Sequence, residues 1–148
     1  MSLEQKINDG IKAAMLAKDK VKLESLRAVK AAILLAKTAE NAQEIDEAAE
    51  IKMLQKLVKQ RKETAEIYLN NNRNELAEKE LAEAAFIEEF LPKQMSEEEI
   101  EAAVKAIIAE TGATSMKDMG KVMGMASKQL AGKADGKMIS DIVKKLLQ

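Results

Sequence analysis

The chain has 148 residues and a formal net charge of −1, with 47% hydrophobic and 33% charged residues, enough for one ordinary domain or two small ones that fold. It has no cysteine and no histidine, which excludes disulfides, thiolate catalysis, zinc–sulfur sites and the usual general base. With 2% aromatics and no run of roughly 18 apolar residues, it carries neither a base-stacking platform nor a membrane span. One proline and six glycines, set among abundant alanine, leucine, glutamate and lysine, predict an all-α fold. Met1-Ser2-Leu3-Glu4-Gln5-Lys6 has no apolar core behind it and does not read as a signal peptide. The expectation is a soluble, cytoplasmic protein.

Residues 2–18 predict a first helix with Leu3, Ile7, Ile11 and Ala14 on one stripe and Gly10 at its edge. Lys18-Asp19-Lys20 breaks the register, and Asp19 is a candidate N-cap for a second helix running to about Lys37. That helix carries Leu23, Leu26, Val29, Ile33 and Leu34, so the two stripes suit a hairpin or a single bent helix. Residues 38–45 read as a loop. Asp46 then caps a third helix to about residue 70, with Ile51, Leu54, Leu57, Val58, Ala65, Tyr68 and Leu69 inward. Arg61 falls inside that stripe, either snorkelling to solvent or paired with a carboxylate of the neighbouring helix. Asn70-Asn71-Asn72-Arg73-Asn74 is a turn, and a fourth helix over 75–90 turns Ala77, Leu81, Ala84, Ile87 and Leu91 inward.

Leu91-Pro92-Lys93-Gln94-Met95 ends this first half, because a residue before proline is pushed out of helical space. Ser96-Glu97-Glu98-Glu99 is a capping box opening a fifth helix through Ile100, Val104, Ile107 and Ile108 to a terminal Gly112. Its consecutive glutamates point in different directions and mark a helix start rather than a metal site. A sixth helix is expected over 115–130 and a seventh over 137–147, the latter with Ile139, Ile142, Val143 and Leu146 inward.

The C-terminal stretch concentrates charge. Seven lysines fall between Lys117 and Lys145 against Asp118, Asp135 and Asp141 alone. At about 100° per residue, Lys117, Lys121 and Lys128 share one side of the sixth helix with Gly120 and Gly124. Met119, Val122, Met123, Ala126 and Leu130 take the other side. Such a face suits a polyanion approaching the backbone, although a solvated lysine stripe or glycines packed against another helix fit the same pattern. Gly132-Lys133-Ala134-Asp135-Gly136 reads either as an anion-binding nest or as a plain connector. It is not a Walker motif, since no Gly-Lys-Ser/Thr follows at the required spacing. Met116, Met119, Met123 and Met125 suit adaptable packing or a peptide groove. Ser127, Ser140 and Thr111 have no histidine to activate them, so no catalytic residue, cofactor site or metal site is assigned.

Several stretches together resemble the YqeY-like family over nearly the whole length. They are Leu26-Arg27 with Lys30-Ala31-Ala32-Ile33, Val58-Lys59-Gln60-Arg61 and Leu91-Pro92-Lys93-Gln94-Met95-Ser96. Thr111-Gly112-Ala113, Lys117-Asp118-Met119-Gly120, Gly120-Lys121-Val122-Met123-Gly124, Gly132-Lys133-Ala134-Asp135-Gly136-Lys137 and Val143-Lys144 complete the set. The family's C-terminal half is similar to the tail of the GatB subunit of tRNA-dependent amidotransferases, which contacts the tRNA body. A related domain is appended to some glutaminyl-tRNA synthetases. The resemblance therefore implies a helical-hairpin domain of about four helices over residues 1–92, then a small three-helix GatB-tail-like domain over 93–148. It also implies tRNA as ligand.

The resulting expectation is a tRNA-binding accessory protein without catalysis of its own, assisting aminoacylation or transamidation beside a synthetase or amidotransferase. The expected contacts are Lys117, Gly120, Lys121, Gly124, Lys128, Gly132, Lys133, Gly136, Lys137 and Lys144, with no DNA or membrane partner. Two alternatives stand beside it: a helical protein–protein interaction module, and an accessory component carrying the family label of a carbon–nitrogen ligase with glutamine as amido-N-donor.

Overall fold

The computed structural model describes residues 2–39 and 45–148. Among them are seven α-helices, one 3₁₀ turn and no strand, which is the all-α class expected. The chain divides into two compact units, Met1–Leu91 and Pro92–Gln148.

The first unit holds α1 (Leu3–Ala17), α2 (Lys20–Thr38), α3 (Glu47–Asn70) and α4 (Asn74–Glu88). Ser2 and Gln5 open α1 with a reciprocal capping box. The helix stops at Lys18, whose left-handed φ of 55° turns the chain, and Asp19 then accepts from Lys22 N at 3.1 Å to start α2. The two helices are therefore a hairpin and not one bent rod. Of the loop expected over 38–45, Thr38 belongs to α2 and residues 40–44 lie outside the described residues. Ile7, Leu26, Val29, Leu54 and Ile87, each at or below 1% exposure, form the centre of the core. Each such side chain contributes about 1.5–3 kcal/mol by leaving water.

Three leucines expected inward are not. Leu34, Leu69 and Leu81 are 48%, 49% and 44% exposed. Leu34 and Leu81 lie about 100° or more around their helices from the centre of the buried arc, and Leu69 sits in the last turn of α3. Spacing of three and four defines an apolar stripe, but only its middle is covered. Gly10, by contrast, is pressed into the core: a Cβ there would stand 2.8 Å from Leu26 Cδ1. Because Leu26 is fully buried, Gly10→Ala is expected to lose more to overpacking than the helix gains in propensity, a net destabilisation of about 1 kcal/mol. Chemical denaturation checks it through the unfolding midpoint.

Arg61 is paired rather than snorkelling. Its Nε lies 3.4 Å from Glu83 Oε2 of α4, and its Nη1 donates to Leu57 O at 3.3 Å. Exposed pairs Glu4–Lys37, Glu24–Lys79 and Lys62–Glu88 tie α1 to α2, α2 to α4 and α3 to α4. They set pairing more than stability.

The second unit holds α5 (Glu97–Thr111), a 3₁₀ turn (Met116–Asp118), α6 (Met119–Gln129) and α7 (Gly136–Leu147). Ser96 caps α5 by accepting from Glu99 N at 3.2 Å, and Gly112 closes it at a left-handed φ of 70°. Each of the three helices packs on the other two. Ile100, Val104, Ile107, Val122, Ala126 and Val143, none above 1% exposure, fill the middle. The sixth helix starts later than its pattern suggests. Ser115 Oγ accepts from Lys117 N at 3.4 Å and Asp118 Oδ2 accepts from Thr114 N at 3.1 Å, and these side-chain bonds accompany the separate 3₁₀ turn.

Candidate nucleic-acid interface

The front of α6 is set by its back. Val122 and Ala126 are fully buried, and Met119, Met123 and Met125 pack beside them against the unit's core. What remains outward is Gly120, Lys121, Gly124, Ser127, Lys128 and Gln129, all exposed. A Cβ built on Gly120 or Gly124 would meet nothing within 4 Å. Close helix packing therefore does not explain either glycine, and the backbone on this side of α6 is open to an incoming molecule. Lys117 is exposed too, but it stands in the 3₁₀ turn, off the α-helical register that groups it with Lys121 and Lys128.

The remaining candidates occupy the turn after α6 and the outer face of α7. Lys133 is exposed in that turn, beside Gly132 with its left-handed φ of 76°. Gly136 and Lys137 open α7, and Lys144 lies two helical turns beyond Lys137 on the same exposed face. The anion-nest reading of residues 132–136 does not hold. Asp135 caps α7, accepting from Lys137 N at 3.3 Å, so an anion at that helix start would meet a carboxylate.

Charge is divided between the helices of this unit. Glu97, Glu98, Glu99, Glu101 and Glu110 lie on α5 against Lys105 alone, while lysines predominate from the 3₁₀ turn onward. Among the described residues, Lys117, Lys121, Lys128, Lys133, Lys137 and Lys144 form no ion pair, a condition they share with most cations of the first unit, where Lys37, Arg61, Lys62 and Lys79 are the paired ones. The lysines after residue 115 are thus left with water and whatever anion arrives. The unit contains no aromatic residue and no arginine.

The methionine groove is largely spent on packing. Met119, Met123 and Met125 lean on the core, and only Met116 and Met138, 41% and 42% exposed, stand out. Sequence reasoning gave Gln94 no role of its own, reading its segment as a helix stop and as part of the family resemblance. Gln94 Nε2 donates to Pro92 O and to Gly132 O, both at 2.8 Å. The signal available was its place in Leu91-Pro92-Lys93-Gln94-Met95, a stretch too polar at Gln94 to be core.

A family model described as Yqey-like protein matches residues 4–147. The chain belongs to the YqeY-like family. It is also 33% identical over 102 residues to "Altered inheritance of mitochondria protein 41, mitochondrial" of Lachancea thermotolerans, covering 68% of this chain and 54% of that protein. To the protein of the same name from Kluyveromyces lactis it is 30% identical over 136 residues, covering 90% and 69%. The chain thus spans about half the length of the first relative and about two thirds of the second. These names overturn the cytoplasmic expectation, since both relatives are mitochondrial proteins by name. Lack of cysteine and of an apolar span is common to several compartments and never separated them. Among the described residues no helix is long and apolar enough to cross a membrane.

Proposed function

We propose that the chain is a tRNA-binding accessory protein without catalysis of its own, gripping phosphates with the outward side of α6, the turn after it and the exposed face of α7. The observation that supports this most is the open space above Gly120 and Gly124 on a side of α6 that also carries Lys121 and Lys128. Glycine inside a helix costs up to about 1 kcal/mol relative to alanine, and no neighbour in the fold requires either one. Close approach of a sugar–phosphate backbone gives them a purpose, and unpaired lysines supply the attraction. With neither arginine nor aromatic residue in the unit, no guanidinium reads base edges and no ring stacks single strands. Recognition is then of folded, double-helical RNA shape, as at the tRNA elbow. The glutamates of α5 repel the same ligand and restrict contact to the other helices. A synthetase or amidotransferase is the partner this role would serve.

The test is tRNA affinity across a salt series. Each neutralised phosphate adds about 0.7 to 0.9 to the downward slope of log affinity against log salt, so four to six contacts give a slope of roughly −3 to −5. A flat dependence would point instead to a protein-interaction module. Gly124→Ala separates function from folding. It is expected to raise stability by up to about 1 kcal/mol while weakening tRNA binding several-fold, measured by thermal unfolding and by titration on the same preparation.

A further inference from the structure

Lys133 differs from the other helix-borne lysines of the proposed face in standing on a turn, where no helix fixes its direction. The turn is nevertheless tied at two consecutive peptide groups. Gly132 O accepts from Gln94 Nε2 at 2.8 Å, and Lys133 O accepts from Met95 N at 2.9 Å. Those two carbonyls belong to the peptide planes that meet at the Lys133 Cα. Holding both planes fixes the direction in which the Lys133 side chain leaves the backbone. Lys133 N donates to Leu130 O at 3.0 Å and completes the anchorage from the α6 side. Gln94 spends both amide hydrogens here, the second on Pro92 O at 2.8 Å, so its head is oriented by its own segment. Gly132, at φ 76°, makes the turn, and Ala134 N also donates to Leu130 O at 3.2 Å, so Gln94 and Met95 hold from one side the two planes that Leu130 holds from the other.

We infer that Gln94 is a positioning residue for the RNA face: with the Met95 amide it clamps the turn after α6 and aims Lys133 at a phosphate. This rests on the tRNA-binding reading, and the test separates the two. Gln94→Met keeps length and bulk but removes both donors. In tRNA titrations over a salt series, Q94M is expected to lose about 0.7 to 0.9 of the slope and to bind about two- to tenfold more weakly. K133A is expected to do the same, and the Q94M/K133A double variant to bind no worse than K133A, since the aimed group is already gone. Additive losses, or a Q94M slope equal to the parent's, would overturn the inference. Should the parent itself show no salt-dependent tRNA binding, the functional reading falls, and amide exchange still decides the clamp. The Met95 N–H is expected to be protected in the parent and to exchange faster in Q94M, with Val104 and Val143 unchanged. Free exchange of Met95 in the parent contradicts the clamp.

Discussion

Lys121→Glu combined with Lys128→Glu and Lys133→Glu is expected to reduce tRNA affinity by about a hundredfold or more at moderate salt. Three phosphate contacts disappear and three repulsions replace them, so the salt slope is expected to fall by about 2 to 3. All three side chains are exposed and form no ion pair among the described residues. Their replacement therefore removes no packing, and helicity and unfolding temperature are expected to stay near the parent's. Filter binding or fluorescence titration measures the first effect and circular dichroism the second. A triple variant that is folded and still binds as the parent does places the RNA elsewhere.

Glu83→Ala is expected to be the most damaging change to a charged side chain in the first unit, lowering stability by about 2 kcal/mol. It would strand Arg61, whose side chain is 17% exposed and whose nearest carboxylate is Glu83, itself 12% exposed. Removing one partner of a buried pair typically costs about 3 to 5 kcal/mol, and the residual exposure of both side chains puts this case below that range. Replacing both, as Arg61→Met with Glu83→Leu, is expected to recover most of the loss, because an apolar pair needs no desolvated charge. Burial first, and neighbouring Glu80 second, push the Glu83 carboxyl above the usual glutamate value, against the opposing pull of Arg61 and Lys79. The folded chain therefore holds that proton more tightly than the unfolded one. The associated stability is complete below the ordinary glutamate range and is lost as pH rises through the raised value. Glu83→Gln is expected to remove that dependence in urea titrations run across the acidic range.

How far the sequence carried can be seen in particular residues. Asp19, Asp46, Ser96 and Gly112 mark helix ends because their side chains, or the lack of one, satisfy terminal backbone groups locally, and the structure places a boundary at each. Local chemistry is legible from a single chain. Arg61 was narrowed to two fates but not resolved, since Glu83 lies 22 positions away and only the packing of α3 on α4 joins them. Lys117 stands in a 3₁₀ turn rather than in α6: Thr114 N bonds Asp118 and Lys117 N bonds Ser115, an arrangement that a uniform helical step does not anticipate. Gln94 was invisible because its partners are backbone carbonyls, one of them 38 residues away at Gly132, and carbonyls carry no side-chain signature. The open side of α6 was half legible. Spacing put the lysines and glycines together, but only the packed fold distinguishes a glycine facing solvent from one facing a neighbour.

Backbone amide chemical-shift mapping during tRNA titration asks whether folded RNA meets the front of α6. Gly120, Lys121, Gly124, Lys128 and Lys133 are expected to shift or broaden first, with Glu97 through Glu101 on α5 unmoved. Saturable binding with those five amides unchanged, and shifts concentrated on α5 or in the first unit, would contradict that contact.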